Sequence, residues 1–113
     1  MAPEKALVPF NAGFSNNAGS YYCKTQEGIV VININAITSN PSFTSGNVIA
    51  TLPAGFRPLS TVRVVAAYDN GTGAGLNYGI TTIGTNGSIT IALNASGTEK
   101  YMTTSIVFPT ALS

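Results

Sequence analysis

From Ile29 to Ile37 the chain alternates. Val30, Ile32 and Ile34 fall on one parity and Val31, Asn33 and Asn35 on the other, which is the two-residue period of a strand covering a core on one side only. Ser20–Thr25 reads as a partner strand, joined to it through a turn at Gln26-Glu27-Gly28. The turn-rich stretch 38–46 follows, with Phe43 expected as a plug beneath it, and 47–51 resumes an extended run. A strand over 61–68 places Val62, Val64, Ala66 and Tyr68 on one face and Arg63, Val65 and Ala67 on the other. That second face is apolar enough to meet a second sheet or a neighbouring subunit. Asn86-Gly87 predicts a type I′ hairpin that sets Thr85 opposite Ser88, Gly84 opposite Ile89, Thr82 opposite Ile91 and Ile80 opposite Leu93. In that register Ile80, Ile89, Ile91 and Leu93 share a face, with Ile83, Thr81, Thr90 and Ala92 behind them. A last strand runs over 101–108. No window carries the i, i+3, i+4, i+7 spacing of an amphipathic helix. Seven short strands with regular turns predict an all-β fold, a compact antiparallel sandwich or barrel.

Composition narrows what such a fold can do. The 113 residues suffice for one domain, and only 8% are charged, where about 25% is usual. Neutral polarity takes the place of charge: 14 Thr, 11 Asn and 10 Ser supply a surface that binds by hydrogen bonds and stacking. The five cations Lys5, Lys24, Arg57, Arg63 and Lys100 are scattered singly, which excludes the basic patch that nucleic acid requires. A lone Cys23 forms no intrachain disulfide and is expected to point inward as a small hydrophobe. No apolar run reaches the length of a membrane span, and the first residues lack the apolar core of a signal peptide, so export by the general secretory route is not expected. Without histidine there is no Ser-His-Asp triad, no Cys-His pair and no imidazole metal ligand. The only acids, Glu4, Glu27, Asp69 and Glu99, make poor provision for two-carboxylate hydrolysis. The expectation is a protein without catalytic residues, metal or cofactor.

The most specific string is Thr51-Leu52-Pro53-Ala54-Gly55-Phe56-Arg57-Pro58. Pro53 ends a strand because it cannot donate to the ladder, Gly55 permits a tight turn with positive φ, and Pro58 holds Arg57 extended. Phe56 would anchor this corner in the core, leaving Arg57 to bond carbonyls or a neighbouring chain.

This corner follows a strand ending in Val48-Ile49-Ala50-Thr51, and a Tyr22-Cys23-Lys24 strand with a Gly28-Ile29-Val30 start precedes it. Downstream lies the Gly84–Ile91 hairpin. In that order the chain resembles, from about Gly13 onward, the C-terminal head domains of tail-fibre and baseplate receptor-binding proteins of phages infecting Gram-positive bacteria. The resemblance implies a β-barrel head over 13–113 behind a connector over 1–12. It also implies a homotrimer at the tail tip or baseplate of the virion, assembled in the host cytoplasm. Its partners would be host cell-wall or capsular saccharide and, through an N-terminal region missing here, other tail proteins. The absence of Trp and His and the single Asp depart from heads that hold sugar with such residues. A purely structural tail component and a polysaccharide-cleaving tail protein are the alternatives.

Within that frame the loop from Asp69 to Leu76 is the candidate ligand region. It lacks the helix start of a phosphate cradle and the oxygen ligands of a calcium loop. Five tyrosines, Tyr21, Tyr22, Tyr68, Tyr78 and Tyr101, offer flat faces with polar tips, although such residues also serve cores and subunit contacts. Tyr68, Asp69, Asn70, Asn77 and Tyr78 combine acceptors, donors and aromatic surface at the two ends of one loop, and a saccharide site is expected there.

Overall fold

The residues with inward parity are mostly aliphatic, joined by Tyr68, Met102, Phe108 and a few threonines, and one antiparallel sheet curls around them. The computed structural model describes residues 6–40, 42–70, 76–94 and 99–110. Among the described residues there are nine strands: β1 (Ala6–Leu7), β2 (Phe14–Asn16), β3 (Tyr21–Lys24), β4 (Ile29–Thr38), β5 (Val48–Thr51), β6 (Val62–Asp69), β7 (Asn77–Ile83), β8 (Ser88–Leu93) and β9 (Tyr101–Pro109). Seven match the sequence expectation, and the two short ones at the start are additional. The order across the sheet is β1-β3-β4-β9-β6-β7-β8-β5, with β2 also on β4.

Strand β4 is the spine. Val30, Ile32, Ile34 and Ala36 are fully buried, as their alternation requires. On one edge it pairs with β3 and then β2, which act as one interrupted strand. Opposite the interruption, the Asn35 carbonyl accepts from the Asn17 N–H at 2.7 Å, and the Asn35 N–H donates to Ser20 Oγ at 2.8 Å. On the other edge β4 pairs with β9 from Ile29 opposite Pro109 to Ile37 opposite Tyr101. Strand β9 pairs with β6 over three positions, from Ala67 opposite Thr103 to Asp69 opposite Tyr101.

The two ends of the sheet meet through the segment after β1. Phe10 bridges Ala50, and the Asn11 N–H donates to the Ile49 carbonyl at 2.8 Å. Val8 is buried in the core. The described part of the stretch read as a connector thus packs with the sheet. A bulge between Val48 and Ala50 turns Ile49 and Ala50 both inward. Phe43 fills the interior, its ring centroid 5.9 Å from Phe14 and 5.7 Å from Tyr68.

The β7–β8 hairpin differs from the sequence expectation by one residue. Ile83 lies opposite Ile89, Thr82 opposite Thr90, Thr81 opposite Ile91, Ile80 opposite Ala92 and Gly79 opposite Leu93. Only Gly87 has positive φ, at 89°; Asn86 does not. The Gly87 N–H donates to the Gly84 carbonyl at 2.9 Å and the Gly84 N–H to the Ser88 carbonyl at 3.0 Å. This is a turn through Thr85-Asn86 followed by a left-handed glycine, the three-residue loop with a bulge, and not a two-residue type I′ turn. A one-residue slip reverses a strand's faces. Ile83 and Thr81 therefore point inward, while Ile80 points out.

The corner forms the expected tight turn, with Phe56 half-buried against the edge of the core. The Phe56 N–H donates to the Pro53 carbonyl at 3.2 Å across a turn with Gly55 at φ 93°. Phe56 meets Tyr22 edge-on at 5.0 Å, and Lys24 Nζ lies 5.2 Å over its ring while donating to the Gly55 carbonyl at 2.8 Å. Arg57 Nε donates to the Leu52 carbonyl at 3.0 Å, and Thr110 Oγ1 donates to the Arg57 carbonyl. Pro58 is buried. Cys23 is buried as expected.

Candidate functional site

Strand parity decides where the five expected site residues point. Tyr68 shares its face with Val64 and Ala66 and is 1% exposed, edge-on to Phe43. It is a core residue with no ring face to offer a ligand, which corrects its assignment to the site. Asp69 and Tyr78 have outward parity, on the face that carries Val65 and Ala67. Asn77 sits at the start of β7, opposite Tyr68, with its Oδ1 accepting from the Tyr78 N–H at 2.8 Å. Asn70 follows the end of β6. The loop segment 71–75 lies outside the described residues. The structure thus brings Asp69 and Tyr78 to one surface, gives Asn77 the inward parity of Tyr68, leaves Asn70 just past the end of β6, and removes Tyr68.

Burial has a second effect at Tyr68. It pushes the phenol up to about 12 from an ordinary value of about 10, against a smaller opposing influence of the nearby Thr81 hydroxyl. Neither hydroxyl makes a hydrogen bond of normal geometry. The unfolded chain ionises this phenol near pH 10 while the folded state holds its proton to about 12. Its contribution to stability is therefore complete below pH 10 and falls as pH rises through 12. Thermal unfolding followed across that range should fall less steeply for Tyr68→Phe than for the wild type. At neutral pH the variant should lose no stability, because it deletes an unpartnered buried hydroxyl. Parallel pH slopes would show that another group titrates.

The outward face of β4, β9 and β6 holds a cleft of about 370 Å³ lined by Asn17, Asn35, Asp69, Tyr101 and Thr103. Its residues come from two adjoining rows of the sheet. Asn35, Thr103, Ala67 and Tyr78 are successive partners in one row, and Ile37, Tyr101 and Asp69 in the next. Asn17, between β2 and β3, leans over this floor, with its Nδ2 3.4 Å from Asn35 Oδ1. One row partner, Ala67, is small, so the surface between Tyr78 and the cleft stays low. The Lys100 N–H donates to the Asp69 carbonyl at 2.8 Å and fixes the start of β9 beside the end of β6. Of these lining residues Asp69 was placed in the expected site, and Tyr101 was one of the five tyrosines considered for ligand contact. The outward parity of Asn35 on β4 was legible, but its neighbours Tyr101 and Thr103 arrive from the far end of the chain.

Beyond the cleft the same face turns apolar. Val65 is 68% exposed and Val107 61%, and Ile80, the cross-strand partner of Val65, is also exposed. Val65 and Asp69 are four residues apart on one strand, about 13 Å. A polar end and an apolar end therefore share one surface. Among the described residues no group of three His, Cys, Asp or Glu is placed to hold a metal ion.

The sequence matches no protein-family model and no curated protein. Among solved structures the fold is that of the head domain of lactococcal phage bIL170, described in connection with the receptor-binding domains of lactococcal phages. The match has a TM-score of 0.72 at 12% identity, and it covers 96% of this chain and 98% of that one.

Proposed function

We propose that this chain is a receptor-binding head of a phage tail, a non-enzymatic adhesion module that docks on saccharide at the surface of a Gram-positive host. The observation that carries this reading is the agreement of fold over nearly the whole of both chains with a phage head domain. The surface chemistry supports it. A face of Asp, Asn, Thr and exposed Tyr, with 8% charge in the whole chain, recognises neutral polar ligands better than charged polymers. Asp69 and Tyr78 are the contacts, with Asn70 and Asn77 beside them in sequence.

The apolar end of the same face, Val65, Ile80 and Val107, is the contact between copies in a homotrimer. Three copies on one tip suit a weak site. A single saccharide contact of this kind contributes roughly 4 to 6 kcal/mol, in the millimolar to high-micromolar range, and avidity multiplies it. Other tail proteins would hold the head from its N-terminal side, in the virion tail.

The test applies labelled protein to a panel of Gram-positive bacteria that includes lactococci. Saturable attachment to at least one strain is expected. It should persist in high salt, weaken in Asp69→Ala and Tyr78→Ala, and release no soluble glycan. Attachment nowhere would leave a structural tail component, and released fragments would mean cleavage. Light scattering on the eluting protein should report about three times 11.6 kDa, falling to one copy in Val65→Lys. A monomeric wild type would remove the trimer but not the adhesion.

A further inference from the structure

We propose that the cleft of Asn17, Asn35, Asp69, Tyr101 and Thr103 is a subsite for neutral, unphosphorylated sugar rings, and that its lining discriminates against phosphorylated or otherwise anionic saccharide. The inference rests on the saccharide-binding reading above and adds both the place and the ligand class.

The volume comes first. About 370 Å³ lies near the lower end of small-molecule sites, which run from roughly 300 to 1,000 Å³. The lining supplies what a sugar ring needs. The Asp69 carboxylate accepts from hydroxyls, the Asn17 and Asn35 amides carry donors and acceptors, Thr103 adds a hydroxyl on the floor, and Tyr101 adds a phenol opposite Asp69. The backbone beneath is rigid. Asn35, Thr103, Tyr101 and Asp69 all stand on paired strands, and the Asn35 backbone is held on both sides by Asn17 and Ser20. Asn33, the neighbouring outward Asn of β4, is committed to structure instead. Its amide donates to the Gly19 carbonyl and accepts from Ser105 Oγ, each at 2.9 Å.

Charge then sets the class. Among the described residues that line the cleft, Asp69 carries the one carboxylate and there is no Lys or Arg. The loop segments 71–75 and 95–98, which follow β6 and β8, contain no charged residue in their sequence either. A phosphate placed here would face the Asp69 carboxylate with no cation among the lining residues and only Lys100 beside them, whereas a ring bearing only hydroxyl or acetamido groups meets complementary partners.

The experiment titrates the intact chain with D-glucose, D-galactose, L-rhamnose and N-acetyl-D-glucosamine, and with glucose 1-phosphate and glycerol 1-phosphate. It follows backbone amide resonances. At least one neutral sugar should shift Asn35, Asp69, Tyr101 and Thr103 saturably, and the phosphates should bind at least about fivefold more weakly. Tyr101→Ala should abolish the shifts with the rest of the spectrum unchanged. Asp69→Asn should narrow the gap between neutral and phosphorylated ligands, which a merely structural role for Asp69 would leave as it is. Tighter binding of the phosphates would overturn the ligand class, and saturable shifts centred elsewhere would overturn the cleft. Either result leaves the adhesion reading standing if cells are still bound. No shift with any probe would overturn the subsite, and adhesion itself fails only if cell attachment fails too.

Discussion

Gly79→Ala is expected to lower the stability of the fold by about 3 kcal/mol, a drop of roughly 10 to 20 °C in Tm. Gly79 is an inward position of β7, between Ala66 on β6 and Leu93 on β8. A Cβ there would lie 1.9 Å from the Ala92 carbonyl oxygen and 2.9 Å from both the Ala92 carbonyl carbon and Leu93 Cα. These are backbone atoms of a paired strand, so no side-chain rotation relieves the overlap. The sheet must move. The measurement is thermal or denaturant unfolding of the variant against the wild type. A change below 1 kcal/mol would show that β8 can shift without cost.

Gly87→Ala is expected to lose about 2 to 3 kcal/mol by a different route. Its φ of 89° lies in the left-handed region, and its Cβ would fall 2.5 Å from the Leu52 carbonyl oxygen and 2.9 Å from Arg57 Nε. That carbonyl already accepts from Arg57, and the Leu52 N–H donates to the Gly87 carbonyl at 2.9 Å. Hairpin tip and corner therefore share one hydrogen-bonded knot, and the added methyl strains both. Gly55→Val at the corner itself meets only Lys24 Nζ, at 3.9 Å, so backbone strain alone should cost about 1 kcal/mol. Unfolding midpoints should rank Gly55→Val above Gly87→Ala. The reverse order would mean that the knot yields more readily than the isolated turn.

The hairpin also shows where reading the sequence stops. The alternation of β4 was legible because its two faces differ so sharply, aliphatic against Asn. Strand β7 has Ile80 and Ile83 on opposite parities with Thr81 and Thr82 between them, so its composition fits either register. The choice fell to the turn, whose Gly87 carbonyl accepts from the distant Leu52 N–H. Tyr68 is the converse case. Its parity with Val64 and Ala66 already placed it inside, and its position at the end of a loop drew attention instead to the surface. Asp69 was recognisable as the lone acid beside Asn and Tyr. Asn17, Asn35 and Thr103 were not, and Tyr101 was one tyrosine among five, because the cleft exists only once β9 lies beside both β4 and β6.

The same arrangement shapes how the chain reaches its fold. Strand β4 finds β3 across a short turn, but its other edge waits for β9, with Ile29 opposite Pro109. A contact across most of the chain makes for high contact order and slow folding. During synthesis Ile29-Val30-Val31-Ile32 must remain unpaired on that edge until the last strand leaves the ribosome. An uncharged β-branched run of this kind is prone to add strands from other molecules. Truncation before Tyr101 should consequently yield aggregates, not a smaller folded body, and a chaperone that shields β4 should raise the yield of the intact chain.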